Sequence, residues 1–77
     1  MKQDIIALRK ILNSRLFSEK YPVIDRVDVD EYGNGIDIVL IPNNSDEYWS
    51  VKDEIRNYIY TIIRLASINN WPIRIYP

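Results

Sequence analysis

Asp28, Asp30 and Asp37 are the side chains whose type and spacing could do chemistry. Asp28 and Asp30 stand two apart in an alternating stretch, which puts both carboxylates on one face of a strand with Cα atoms about 7 Å apart. A hairpin would bring Asp37 beside them. Three carboxylates on one surface could hold a hard cation, and two could divide acid and base roles. A sheet face, however, offers no pocket to desolvate one carboxyl and raise its pKa. The run Asp28-Val29-Asp30-Glu31-Tyr32-Gly33 echoes the opening of an EF-hand loop, but Tyr32 takes the fifth position and Val39 the twelfth, where a bidentate glutamate is required. No catalytic residue, metal ligand or cofactor site is therefore assigned. The three aspartates are expected to form an acidic surface that a basic site on a partner protein could recognise.

Absences narrow the chemistry further. The 77-residue chain has no cysteine and no histidine. That removes disulfides, thiol nucleophiles, thiolate zinc sites and the commonest general base near neutral pH. Both glycines sit in one turn, so there is no glycine-rich phosphate loop. The expectation is a protein that is not an enzyme.

Two further groups of residues point to contacts. Arg56, Tyr60 and Arg64 recur at a spacing of four and line up on one side of a helix, with Trp49 near the line at its start. Trp, Tyr and Arg are the residue types enriched at interface hot spots. Val39, Ile41 and Tyr76, with Tyr32, fall on the strand face that no helix is needed to cover, where they would form an apolar strip suited to self-association. A small domain buries little surface and gains stability by pairing.

The elements that must position these residues are legible from periodicity. Ile5, Leu8, Leu12 and Leu16, widened by Ile11, predict one helix over residues 2–16; Ile6 and Phe17 fall off its face. Val27 and Val29 alternate with Arg26, Asp28 and Asp30 in a first strand. Asn34-Gly35 is a hairpin signal of the type I′ kind, and residues 36–41 return. That turn places Val29 opposite Leu40 and Glu31 opposite Ile38, with Val27, Val29, Ile38 and Leu40 on one face. Ser45 or Ser50 could cap the second helix, whose buried stripe reads Val51, Ile55, Tyr58, Ile62, Leu65 and Ala66, and Asn69-Asn70 would end it. Ile59 and Ile63 widen its apolar arc. Residues 71–77 form a short last strand with Ile73 and Ile75 inward, held to an edge by Pro72 and Pro77.

The order α-β-β-α-β predicts a single α+β domain over residues 1–77. Its sheet is expected to be three-stranded, mainly antiparallel and ordered 2-1-3, with both helices on one face.

Charge is segregated along the chain. Residues 1–20 carry a net +3, residues 25–54 a net −7 and residues 56–77 a net +3, within an overall −1. An isoelectric point near 5.2 argues against general nucleic-acid affinity, which phosphate neutralisation drives. No apolar run is long enough to span a bilayer and no signal peptide opens the chain, so the expected location is the cytoplasm. The wealth of Ile, Asn and Tyr suits an AT-rich genome, that of a low-GC bacterium or of a phage or mobile element within one. The function expected is a small protein–protein interaction module, homodimeric, acting as an acidic inhibitor or regulator of another protein. The alternatives are a nucleic-acid-binding regulator that uses Arg and Tyr on the helix surfaces, and a structural homo-oligomer.

Overall fold

Asn13 and Ser14 divide the stretch whose apolar spacing predicts one helix. In the computed structural model, which describes residues 1–68 and 70–77, helix α1 (Lys2–Leu12) ends at Asn13, and a second helix, α2 (Arg15–Lys20), begins at Ser14. The Ser14 hydroxyl caps α2 by accepting from the Phe17 N–H at 3.3 Å. The break resets the helical phase. Leu16, expected in the buried stripe, is 81% exposed, and Phe17, expected off it, is 3% exposed. Ile5, Leu8 and Leu12 are buried as their spacing predicts.

The hairpin joins β1 (Ile24–Tyr32) to β2 (Gly35–Pro42) in antiparallel pairing. Its two-residue loop is Gly33-Asn34, one residue earlier than the Asn34-Gly35 signal suggests. Gly33 takes φ +55°, the positive value that a type II′ turn requires at its first central position. Val29 therefore pairs with Ile38, Val27 with Leu40 and Glu31 with Ile36. This register differs from the predicted one by two residues. An even slip leaves every side chain on its own face, so the inward set is unchanged.

The third strand departs from the predicted order. β3 (Ile73–Tyr76) lies parallel to β2, and the sheet runs β1-β2-β3 rather than 2-1-3. It is mixed, with one antiparallel and one parallel pairing. Two local features explain this. The outer edge of β1 is already occupied by side chains of α1, as described below. Gly35, freed from the turn, lets the chain before β3 approach: Pro72 O lies 2.5 Å from where a Cβ on Gly35 would be, and accepts the Ile36 N–H at 2.8 Å.

Between β2 and β3 runs α3 (Ser45–Leu65). Its cap is Asn44, which accepts from the Glu47 N–H at 3.0 Å, rather than Ser45 or Ser50. Its buried stripe is Tyr48, Ile55, Ile59 and Ile63, with Val51, Tyr58 and Ile62 half-buried. This stripe is rotated from the predicted one, and Leu65 and Ala66, expected inside, are exposed. Tyr48 can be fully buried because its hydroxyl donates to Pro77 O at 3.1 Å. The helix stops earlier than Asn69-Asn70. Ser67 N–H donates to Arg64 O and Ile68 N–H to Ile63 O, a Schellman ending with Ser67 at φ +57°. Asn69 itself lies outside the described residues.

Side chains from all three helices and from the inner face of the sheet form one buried cluster. Trp71 ties the last segment to α1 by donating to Asp4 Oδ2 at 2.8 Å. The helices thus cover one face of the sheet and leave the other open, as the α+β reading requires.

Candidate protein-binding surfaces

The open face is built from alternate residues of the three strands: Arg26, Asp28, Asp30 and Tyr32 on β1, Asp37, Val39 and Ile41 on β2, and Arg74 and Tyr76 on β3. The register sets them in rows. Asp30, Asp37 and Arg74 lie side by side, then Asp28, Val39 and Tyr76, then Arg26 and Ile41. The expected self-association residues Val39, Ile41 and Tyr76 are therefore contiguous. Val39 and Ile41 are half-buried and Tyr76 is exposed, with no helix among the described residues above them.

The three aspartates are together, as expected, but none stands free. Asp28 meets Arg26 at 3.2 Å, Asp30 meets Arg9 at 3.7 Å, and Asp37 holds Arg74 through two bonds of 2.8 and 2.9 Å. The Arg74 guanidinium also lies 3.6 Å from the centre of the Tyr32 ring and 5.4 Å from that of Tyr76. Hydrogen bonding to Asp37 holds its pKa above the ordinary arginine value. Exposed pairs of this kind add little stability, but they cancel most of the charge on this face. Among the described residues no cluster of three or more acidic side chains is arranged to hold a metal ion. A cavity of about 140 Å³ beside the hairpin turn is lined by Tyr32, Asn34, Asp37, Pro72 and Arg74. Its charged groups, Asp37 and Arg74, are already bonded to each other.

The residues expected on the helix line occupy a different surface. On α3, Trp49 is 56% exposed and Tyr60 40%, Arg64 is exposed and Arg56 half-buried. The Lys52 ammonium stands 4.8 Å over the Trp49 ring. Burial raises the Tyr48 phenol pKa, and the nearby Arg56 charge opposes the shift. The other flank of α3 is packed: Tyr58 meets Phe17 of α2 and Tyr21 just after it, with ring centres 6.2 and 5.5 Å away. The expected partner-binding set is thus split. Asp28, Asp30 and Asp37 face one side of the sheet, and Trp49, Arg56, Tyr60 and Arg64 lie on the helix layer.

Sequence reasoning missed the edge-binding roles of two residues and one contact across the open face. Asn13 and Arg9 reach the outer edge of β1: Asn13 bonds both main-chain groups of Val27, and Arg9 donates to Val29 O at 2.6 Å. The Asn-Ser pair inside an apolar helical pattern was the available signal, since both residue types favour caps over helix interiors. Tyr32 stacks on Arg74, a contact across non-adjacent strands that no local pattern reveals. No described helix is long and apolar enough to cross a membrane. No protein-family model matches the chain, no curated protein matches its sequence, and no solved structure matches it.

Proposed function

We propose that this protein is a non-enzymatic protein–protein interaction module that pairs with a second copy of itself through the open face of its sheet. One observation carries the reading. Val39, Ile41 and Tyr76 form a continuous apolar strip on a face whose aspartates are each neutralised by an arginine. A face with little net charge can be buried against its own copy without like-charge repulsion, as a two-fold interface demands. Its paired aspartates present less charge to a basic partner than the sequence implies. That favours self-association over the acidic-inhibitor form of the same reading.

Sedimentation of the wild type and of Val39→Lys at micromolar concentration tests this. The wild type is expected at twice the 9.2 kDa protomer mass and the variant at the protomer mass, with the same far-ultraviolet circular dichroism. A monomeric wild type would refute the dimer, and a variant that still pairs would refute its placement on the sheet face.

A further inference from the structure

The two edges of the sheet are finished differently. Along β1, α1 supplies partners for the main chain through Asn13 and Arg9. Among the described residues nothing comparable lies along β3. The Ile36 N–H donates to Pro72 O, a phase that turns the main-chain groups of Arg74 toward β2 and leaves those of Ile73 and Ile75 facing outward. Among the described residues, none outside the sheet bonds to them.

One flank of α3 faces the β3 side of the helix layer. Tyr58, on the opposite flank, leans on α2, and Tyr48 reaches the end of β3 at Pro77. Trp49, Lys52, Arg56 and Tyr60 therefore project on the β3 side. Lys52 and Arg56 are the charged groups on the part of this flank nearest the sheet, and Asp53 lies further round toward solvent.

We propose that the open edge of β3 is a docking site for an extended, acidic segment of another protein, which adds to the sheet as a fourth strand. Main-chain pairing to Ile73 and Ile75 would set its register. On the helix side its side chains would meet Trp49, Lys52, Arg56 and Tyr60, and on the other side Arg74 and Tyr76. The charges choose between a foreign strand and a second copy. Two β3 strands paired about a two-fold axis would bring the Lys52 and Arg56 flanks together, and like charges placed opposite are unfavourable. Acidic side chains relieve that conflict. β3 spans only four residues between Pro72 and Pro77, so the strand it accepts is short and the contacts to Trp49 and Tyr60 must contribute strongly.

A binding strand here presupposes the interaction-module reading but not the sheet-face dimer. The experiment therefore uses both the wild type and Val39→Lys. A display library of random linear twelve-residue peptides is selected against each protein, and the winners are synthesised for titration and backbone NMR. Net-acidic winners are expected from both proteins. They should slow amide exchange at Ile73 and Ile75, and lose at least about tenfold in affinity when alternate peptide nitrogens are methylated. The Lys52→Glu/Arg56→Glu variant, folded by the same spectra, should lose at least about tenfold as well. No selected peptide, neutral or basic winners, or binding that leaves the Ile73 and Ile75 amides unmoved would overturn the proposal. Concentration-dependent protection of those two amides in the free protein would overturn it too, because a second copy would then hold the edge.

Discussion

The side-chain amide of Asn13 pairs with Val27 as a neighbouring strand would, donating to Val27 O at 2.8 Å and accepting from Val27 N–H at 2.9 Å. The same Nδ2 donates to Arg9 O at 2.8 Å and so helps end α1. One residue terminates a helix and closes a sheet edge. Asn13→Ala removes the partners of two main-chain groups at a half-buried site and is expected to cost about 1–3 kcal/mol in urea unfolding. Asn13→Asp keeps the acceptor for the Val27 N–H but loses the donor, and should fall between. Equal stability of wild type and Asn13→Ala would mean that water replaces the amide without loss.

Gly35 and Gly33 serve different needs, and alanine scanning separates them. A Cβ at Gly35 would overlap Pro72 O, whereas one at Gly33 meets nothing within 4 Å. Gly35→Ala should cost about 1–3 kcal/mol by displacing the segment that leads into β3. Amide exchange at Ile36, whose N–H bonds to Pro72 O, should then quicken. Gly33→Ala should cost about 1 kcal/mol through its positive φ alone, with Ile36 exchange unchanged. Identical exchange profiles for the two variants would contradict this division.

Ser67 is the described non-glycine residue in the left-handed region, at φ +57°, where it closes the Schellman ending of α3. Its Cβ strains that conformation. Ser67→Gly relieves the strain at some cost in unfolded-chain entropy, and a net gain of roughly 0.5–1 kcal/mol is expected. A lower melting temperature for Ser67→Gly would show that the hydroxyl makes a contribution of its own.

Tyr21 makes stability fall at high pH. Burial pushes its phenol up to about 12, reinforced by the Glu54 carboxylate and by Tyr58. Phe17 packs edge-on to its ring, and the Lys20 ammonium lies 5.5 Å from it. In the unfolded chain the phenol ionises near 10. Between these values the unfolded state has released a proton that the folded state retains, so unfolding is favoured as pH rises from about 10 to about 12. Tyr48, also raised by burial, acts in the same direction. Tyr21→Phe should flatten the decline between pH 10 and 12 seen in chemical denaturation. An unaltered slope in that variant would place the titration elsewhere.

Local pattern determined much of this protein: the α+β class, the hairpin, the long helix before the last strand, and the inward set Val27, Val29, Ile38, Leu40 and Ile75. These follow from periods of two and about 3.6, which depend only on neighbours in the chain. The even slip in register shows how robust that part is, since the turn moved by one residue and no side chain changed face. Pattern also marked Trp49, Arg56, Tyr60 and Arg64 as outward on one helix, because unused positions on a wheel are as visible as used ones. Only the tertiary structure decided the phases of α2 and α3, the strand beside β3, and the charge of the open face. Each rests mainly on groups distant in sequence, the Arg26–Asp28 pair within β1 excepted. Phe17 is buried because Tyr21 and Tyr58 meet it, β3 joins β2 because Gly35 admits Pro72 while Asn13 and Arg9 occupy the far edge of β1, and the three aspartates pair with arginines on α1, β1 and β3. Such contacts are set by side-chain shape and hydrogen-bond complementarity across the fold, which no run of adjacent residues encodes.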